Sequence, residues 1–83
     1  MLYTHAVITV NMTKSGKTKD LEVPLDISAG ELCSALFEMY STGTGGKVQQ
    51  HFLRAERPIV LLRGERTLRD YGVRDGTIIN IVE

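Results

Sequence analysis

The sequence predicts an α+β roll, one helix laid across a mixed sheet of five strands in the order β-β-α-β-β-β. Three observations carry this: apolar and polar residues alternate at both ends of the chain, one stretch has helical periodicity behind a serine cap, and glycine-rich breaks lie between them. A chain of 83 residues has room for one small domain, taken as 1–83, and one core. Cys33 is the sole cysteine and His5 and His51 are the two histidines, so neither an intrachain disulfide nor a repeated Cys/His ligand set is expected. No metal and no cofactor follow from this inventory, and packing alone must hold the fold.

The first strand is Ala6-Val-Ile-Thr-Val-Asn-Met12, with Ile8, Val10 and Met12 on one side and Thr9 and Asn11 on the other. Thr13-Lys-Ser-Gly16 reads as a hairpin loop whose glycine suits a positive φ. The second strand runs from about Lys17 to Val23, with Leu21 and Val23 sharing a face, and Pro24 closes it because proline has no N–H for the ladder. The period then changes. Ser28-Ala-Gly-Glu31 has the S-x-x-E form of a capping box, and Leu32, Ala35, Leu36 and Met39 recur at helical spacing. Ser41-Thr-Gly-Thr-Gly-Gly46 ends the helix.

The second half returns to strands. One runs from Val48 to about Ala55, and after Glu56-Arg57-Pro58 another covers Ile59-Val-Leu-Leu62, with Gly64 opening a turn. Residues 67–73 are irregular and offer Leu68, Tyr71 and Val73 to the core. Arg74-Asp75-Gly76 is a turn, and in 77–82 Ile79 and Ile81 alternate with Asn80 in a final strand. A helix with one apolar stripe must bury it against one face of this sheet.

Composition narrows the function classes. Ten basic and ten acidic residues give a net charge of zero, without the basic excess of a nucleic-acid binder. No apolar run is long enough for direct membrane insertion, and the N-terminus lacks the pattern of an export signal, so a cytoplasmic location is expected. Within the neutrality there is segregation: Lys14, Lys17, Lys19 and Lys47 precede residue 50, whereas Arg54, Arg57, Arg63, Arg66, Arg69 and Arg74 follow it. The arginine half is the docking side expected for a carboxylate-bearing partner.

Several strings imitate catalytic motifs. Gly16-Lys-Thr18 copies the end of a P-loop, but Asn11 stands where the upstream glycine belongs and the string leads into a strand instead of a helix. Gly43-Thr-Gly-Gly-Lys47 is followed by Val48 where a Mg²⁺-binding hydroxyl is needed, and a loop is the better reading. Cys33 lies in the first helical turn beside the apolar stripe, where a free cysteine acts as a small hydrophobe, and neither His5 nor His51 is placed to activate it. An enzyme is not expected.

Gly16-Lys-Thr-Lys-Asp-Leu-Glu-Val23 resembles the second strand of ubiquitin with its preceding turn, and residues 67–82 resemble ubiquitin's closing segment without a gap. In that register Leu68, Tyr71, Val73, Ile79 and Ile81 fall on core positions, and Gly72 and Gly76 on turn positions with unusual backbone angles. The resemblance implies a β-grasp (ubiquitin-like) roll. The chain departs from ubiquitin in its Pro58-led strand and tight Arg63-Gly-Glu-Arg66 turn, and in stopping at Glu83 without a terminal Gly-Gly. Activation as an acyl-adenylate needs that glycine, so a conjugated modifier or sulfur carrier is not expected.

Among ubiquitin-like proteins without the tail, the chain is similar to the YukD/EsaB family of bacterial type VII secretion systems. Its length, its end and the segment Gly64-Glu-Arg-Thr-Leu68 to Asp70-Tyr-Gly-Val73, close to a G-E-x-x-L-x-D-x-G-I pattern, carry the similarity. It implies a non-conjugated interaction module, accessory or regulatory, whose protein partner is a cytoplasmic domain of the secretion membrane machinery or its ATPase. The alternatives are a modifier or carrier, and a ubiquitin-like adaptor domain detached from a larger protein, against which Met1 argues.

Ubiquitin docks partners on the sheet face away from the helix. If its register holds in the third strand, Phe52 points inward and His51 and Leu53 outward, with Asn80 and Val82 of the last strand beside them and Arg54 at the rim. These five, His51, Leu53, Arg54, Asn80 and Val82, are the expected partner-binding residues. The opposite register, with Leu53 in the core and Phe52 exposed, is the alternative, since a slip of one residue exchanges the faces.

Overall fold

The computed structural model describes residues 3–40 and 52–81. Its elements are β1 (His5–Met12), β2 (Thr18–Pro24), α1 (Ala29–Tyr40), β3 (Phe52–Glu56), β4 (Val60–Arg63) and β5 (Ile78–Ile81). Their order is the one the sequence predicts. The sheet runs β2-β1-β5-β3-β4, with β1 and β5 parallel and the other neighbours antiparallel.

Alternation decides which side chains enter the core. Ala6, Ile8 and Val10 of β1, Val23 of β2, Leu53 and Ala55 of β3, Leu62 of β4 and Ile79 and Ile81 of β5 are all buried on one face. Met12 and Leu21 pack against them partly covered. The β1–β2 loop closes as expected, Gly16 N–H donating to Met12 O (2.8 Å) and Met12 N–H to Lys17 O (2.8 Å).

Helix α1 begins at the predicted cap, the Glu31 N–H donating to Ser28 Oγ at 3.1 Å. Its buried stripe is Ala29, Leu32, Cys33 and Leu36, with Phe37 half-buried. Ala35 and Met39 were expected in that stripe and instead face solvent, Met39 at 49% exposure. The reason is the side of the sheet the helix lies on: it packs on β3 and β4, and the residues at i, i+3, i+4, i+7 and i+8 from Ala29 meet them.

The segment from Gly64 to Thr77 adds Leu68 and Val73 to the core, with Tyr71 half-buried, and Leu25 joins them from the stretch after β2. Backbone bonds lash it to the chain leading into the helix: Ala29 N–H donates to Arg66 O (2.8 Å), Gly30 N–H to Gly64 O (2.8 Å), Leu68 N–H to Ile27 O (3.0 Å) and Arg69 N–H to Leu25 O (2.9 Å). Two donors left over at the start of a helix thus find carbonyls in the loop. Gly72 and Gly76 have φ of 83° and 90°, the left-handed angles expected of them.

Of the strand limits expected in the second half, one cannot be compared and one differs. Val48–His51, expected in the third strand, fall outside the described residues. Ile59, expected to open the fourth strand, precedes β4 and is 91% exposed.

Candidate functional site

The face of the sheet opposite α1 is where side chains remain available. Across its middle the polar residues bond to one another. Thr9 Oγ1 donates to Asp20 Oδ1 (2.8 Å), Asn11 Nδ2 to Asn80 Oδ1 (2.9 Å) and Asn80 Nδ2 to Glu56 Oε2 (2.9 Å). The strands set these meetings, since Thr9 pairs with Asp20, Asn11 with Asn80, and Glu56 lies two residues along β3 from Arg54, the partner of Asn80.

The β3–β4 end differs. Phe52 pairs with Arg63 and Arg54 with Leu61, so two apolar and two cationic side chains form a checkerboard on one surface. Phe52 is 36% exposed and Leu61 49%. Arg54, Glu56, Ile59, Leu61 and Asn80 border an open groove of about 440 Å³.

The register of β3 corrects the expectation for Leu53, which is 1% exposed and belongs to the core, while Phe52 takes the surface position. The physical reason lies in its neighbours: with Leu53 outward, the charged Arg54 and Glu56 would point into the apolar core beneath α1. Arg54 and Asn80 do lie on the open face, directly opposite each other. His51 and Val82 lie outside the described residues. Phe52 is the surface residue of the alternative register, whereas Leu61, Glu56 and Asn11 are not among the expected partner-binding residues, although alternation in Phe52-Leu-Arg-Ala-Glu56 signals three of the surface positions in β3.

The arginines predicted to mark a docking side divide by environment. Arg69 is engaged: its Nε donates to Asp26 Oδ1 (2.8 Å) and its Nη2 to Asp26 Oδ2 (3.3 Å) and Tyr3 O (2.7 Å). The hydrogen bond from Arg69 holds the Asp26 carboxyl below its usual range, and the same contact raises Arg69. Arg66 lies over the Tyr71 ring, 5.6 Å from its centre. Among the described residues, Arg54 and Arg63 have no such side-chain partner.

Cys33 is buried in the core, where burial pushes its thiol up, whereas His5 is exposed at the start of β1. Gly16 sits in the hairpin loop and Thr18 opens β2, so that string has no helix N-terminus to offer a phosphate. Gly43–Lys47 lies outside the described residues. Among the described residues no three His, Cys, Asp or Glu side chains gather as a metal site, and no helix is long and apolar enough to cross a membrane.

Residues 5–81 match the family model described as the WXG100 protein secretion system (Wss), protein YukD. Among solved structures, a ubiquitin-like domain from tubulin-binding cofactor B superposes with a TM-score of 0.70 at 20% identity, over 99% of this chain and 92% of that one. A ubiquitin-like domain from Arabidopsis thaliana gives 0.69 at 18% identity, over 94% and 76%. The UBL domain of Plasmodium falciparum Dsk2 gives 0.66 at 20% identity, over 94% and 96%. At these identities the likeness shows the ubiquitin-like β-grasp fold and nothing finer. No curated protein matches the chain.

Proposed function

The chain belongs to the YukD family, and from that premise we propose that it works as a ubiquitin-like interaction module, an accessory or regulatory component of a bacterial type VII secretion system. The observation that carries this reading is the family match over residues 5–81. The module acts in the cytoplasm by binding, not by catalysis. Its partner is a cytoplasmic domain of the secretion membrane machinery or its ATPase. Support for binding comes from the open sheet face, where Arg54 and Asn80 stand beside exposed apolar side chains.

Deletion of the gene tests the assignment. Export of the small helical substrates is expected to fall or lose its regulation, and to return with a wild-type copy; unchanged export counts against the secretion role. Intact-mass measurement of the cellular protein separates this reading from the modifier: an unmodified mass supports the module, and a covalent adduct on the chain overturns it.

A further inference from the structure

Three independent features converge on the β3–β4 half of the open face. The first is charge without a counterion. Arg54 and Arg63 are exposed and have no ion-pair partner among the described residues, while the nearby Glu56 already accepts from Asn80. A guanidinium presents a planar fork of donors that fits a carboxylate, so two of them on one strand pair, without an ion-pair partner among the described residues, suit an acidic ligand.

The second feature is apolar surface in the same lattice. Phe52 and Leu61 alternate with the two arginines, and Ile59, 91% exposed, borders the groove in front of Leu61. The third is the way Ile59 is held. Arg57 adopts a left-handed φ of 64°, a conformation a non-glycine residue takes only when its surroundings hold it there. The buried Thr77 pins it, its Oγ1 donating to Arg57 O at 2.7 Å and accepting from Arg74 N–H at 3.0 Å. Ile59 therefore projects from an anchored turn, and little ordering remains to be done when something closes over it.

Resting on the reading of the chain as an interaction module, we propose that this surface docks an acidic, amphipathic segment of a protein partner. The segment seats its apolar side chains among Phe52, Ile59 and Leu61 and sets its carboxylates on Arg54 and Arg63. An anionic membrane is the lesser match, because surface recognition of lipid draws on clusters of about four to eight basic residues, whereas the described residues of β3 and β4 present two on this face, beside an acid.

Chemical-shift mapping of the full ¹⁵N-labelled chain tests the proposal. The probes are two synthetic amphipathic helical peptides with identical leucines, one flanked by glutamates and the other by lysines. The glutamate peptide is expected to shift amides in Phe52–Arg54 and Ile59–Arg63, and Arg54→Glu with Arg63→Glu to weaken it roughly tenfold or more. The same double variant, its circular dichroism unchanged, is expected to bind the lysine peptide better than the wild type does.

Equal response to both peptides overturns the proposal, as do shifts centred on β1 and β2. So does a concentration-dependent response of the same amides without peptide, which marks a second copy as occupant, or a stronger response to vesicles of anionic phospholipid than to the glutamate peptide. If the charge swap holds while gene deletion leaves export unchanged, the docking chemistry stands and the secretion role falls. If export depends on the gene and the swap fails, the opposite holds.

Discussion

The two hairpins of the sheet are built to the same plan and finish their surfaces differently. The β1–β2 hairpin pairs seven residues on each strand, and on its open face Thr9 and Asp20 bond across the strands while Asn11 bonds onward to Asn80. The β3–β4 hairpin pairs four, and on the same face leaves Phe52, Leu61, Arg54 and Arg63 without that closure. Both hairpins deliver their inward residues to one core, so the difference lies wholly in the outward ones. Polar groups that bond to one another define a surface indifferent to partners, whereas guanidinium groups with no ion-pair partner among the described residues, beside exposed apolar side chains, define one that gains by being covered.

The sharpest way to break this contrast is to probe the two faces of β3. Leu53→Ala removes a buried side chain and is expected to cost about 2–5 kcal/mol in chemical denaturation. Phe52→Ala, one residue away, is expected to cost about 1 kcal/mol or less. Equal costs from the two substitutions are incompatible with the register described.

Next in size is Thr77→Val, which keeps the shape of a buried side chain and deletes its hydroxyl. Arg57 O and Arg74 N–H then lose their shared partner, at an expected cost of about 1–3 kcal/mol. Amide exchange should quicken around Arg57–Ile59 and leave the β1–β2 ladder unchanged. Uniform quickening of both hairpins denies the hydroxyl its local role.

The smallest effect belongs to Asp26, an exposed carboxylate on the segment between β2 and α1. Because Arg69 holds its carboxyl below the usual value of 3.8, the ion pair contributes stability above that range, and the contribution is lost as pH falls through the lowered value. Asp26→Asn is expected to lower the melting temperature slightly near neutral pH, with the gap from wild type closing in acid and shrinking in salt. A gap that widens in acid has the wrong sign for this pair.

Much of the fold is legible in the sequence because alternation and capping are local signals. Ile8 and Val10, Ile79 and Ile81, the Ser28 cap and the glycines at 72 and 76 each announce their place within a few residues. The face of β3 was legible too, since Arg54 and Glu56 flank Ala55, yet an imposed ubiquitin register sends Leu53 outward against that pattern. Met39 shows the other kind of loss. Helical spacing admits it to the stripe, and only the position of α1 over β3 and β4 leaves it in solvent. The groove is hidden for a related reason: Asn80, Glu56 and Ile59 become neighbours through strand order and one anchored turn, neither of which any short window of sequence contains.

The place of β5 has a consequence during synthesis. It follows every other described strand in the chain, yet stands in the sheet between β1 and β3. Until Ile78–Ile81 leave the ribosome, no described strand hydrogen-bonds the two hairpins to each other, and β1 and β3 each present an unpaired edge to chaperones and proteases. Thr9 must find Ile78 across nearly the whole chain, a contact whose closure entropy is met late. A chain halted before β5 therefore leaves two hairpins with open edges, and it is the last described strand that turns them into one sheet.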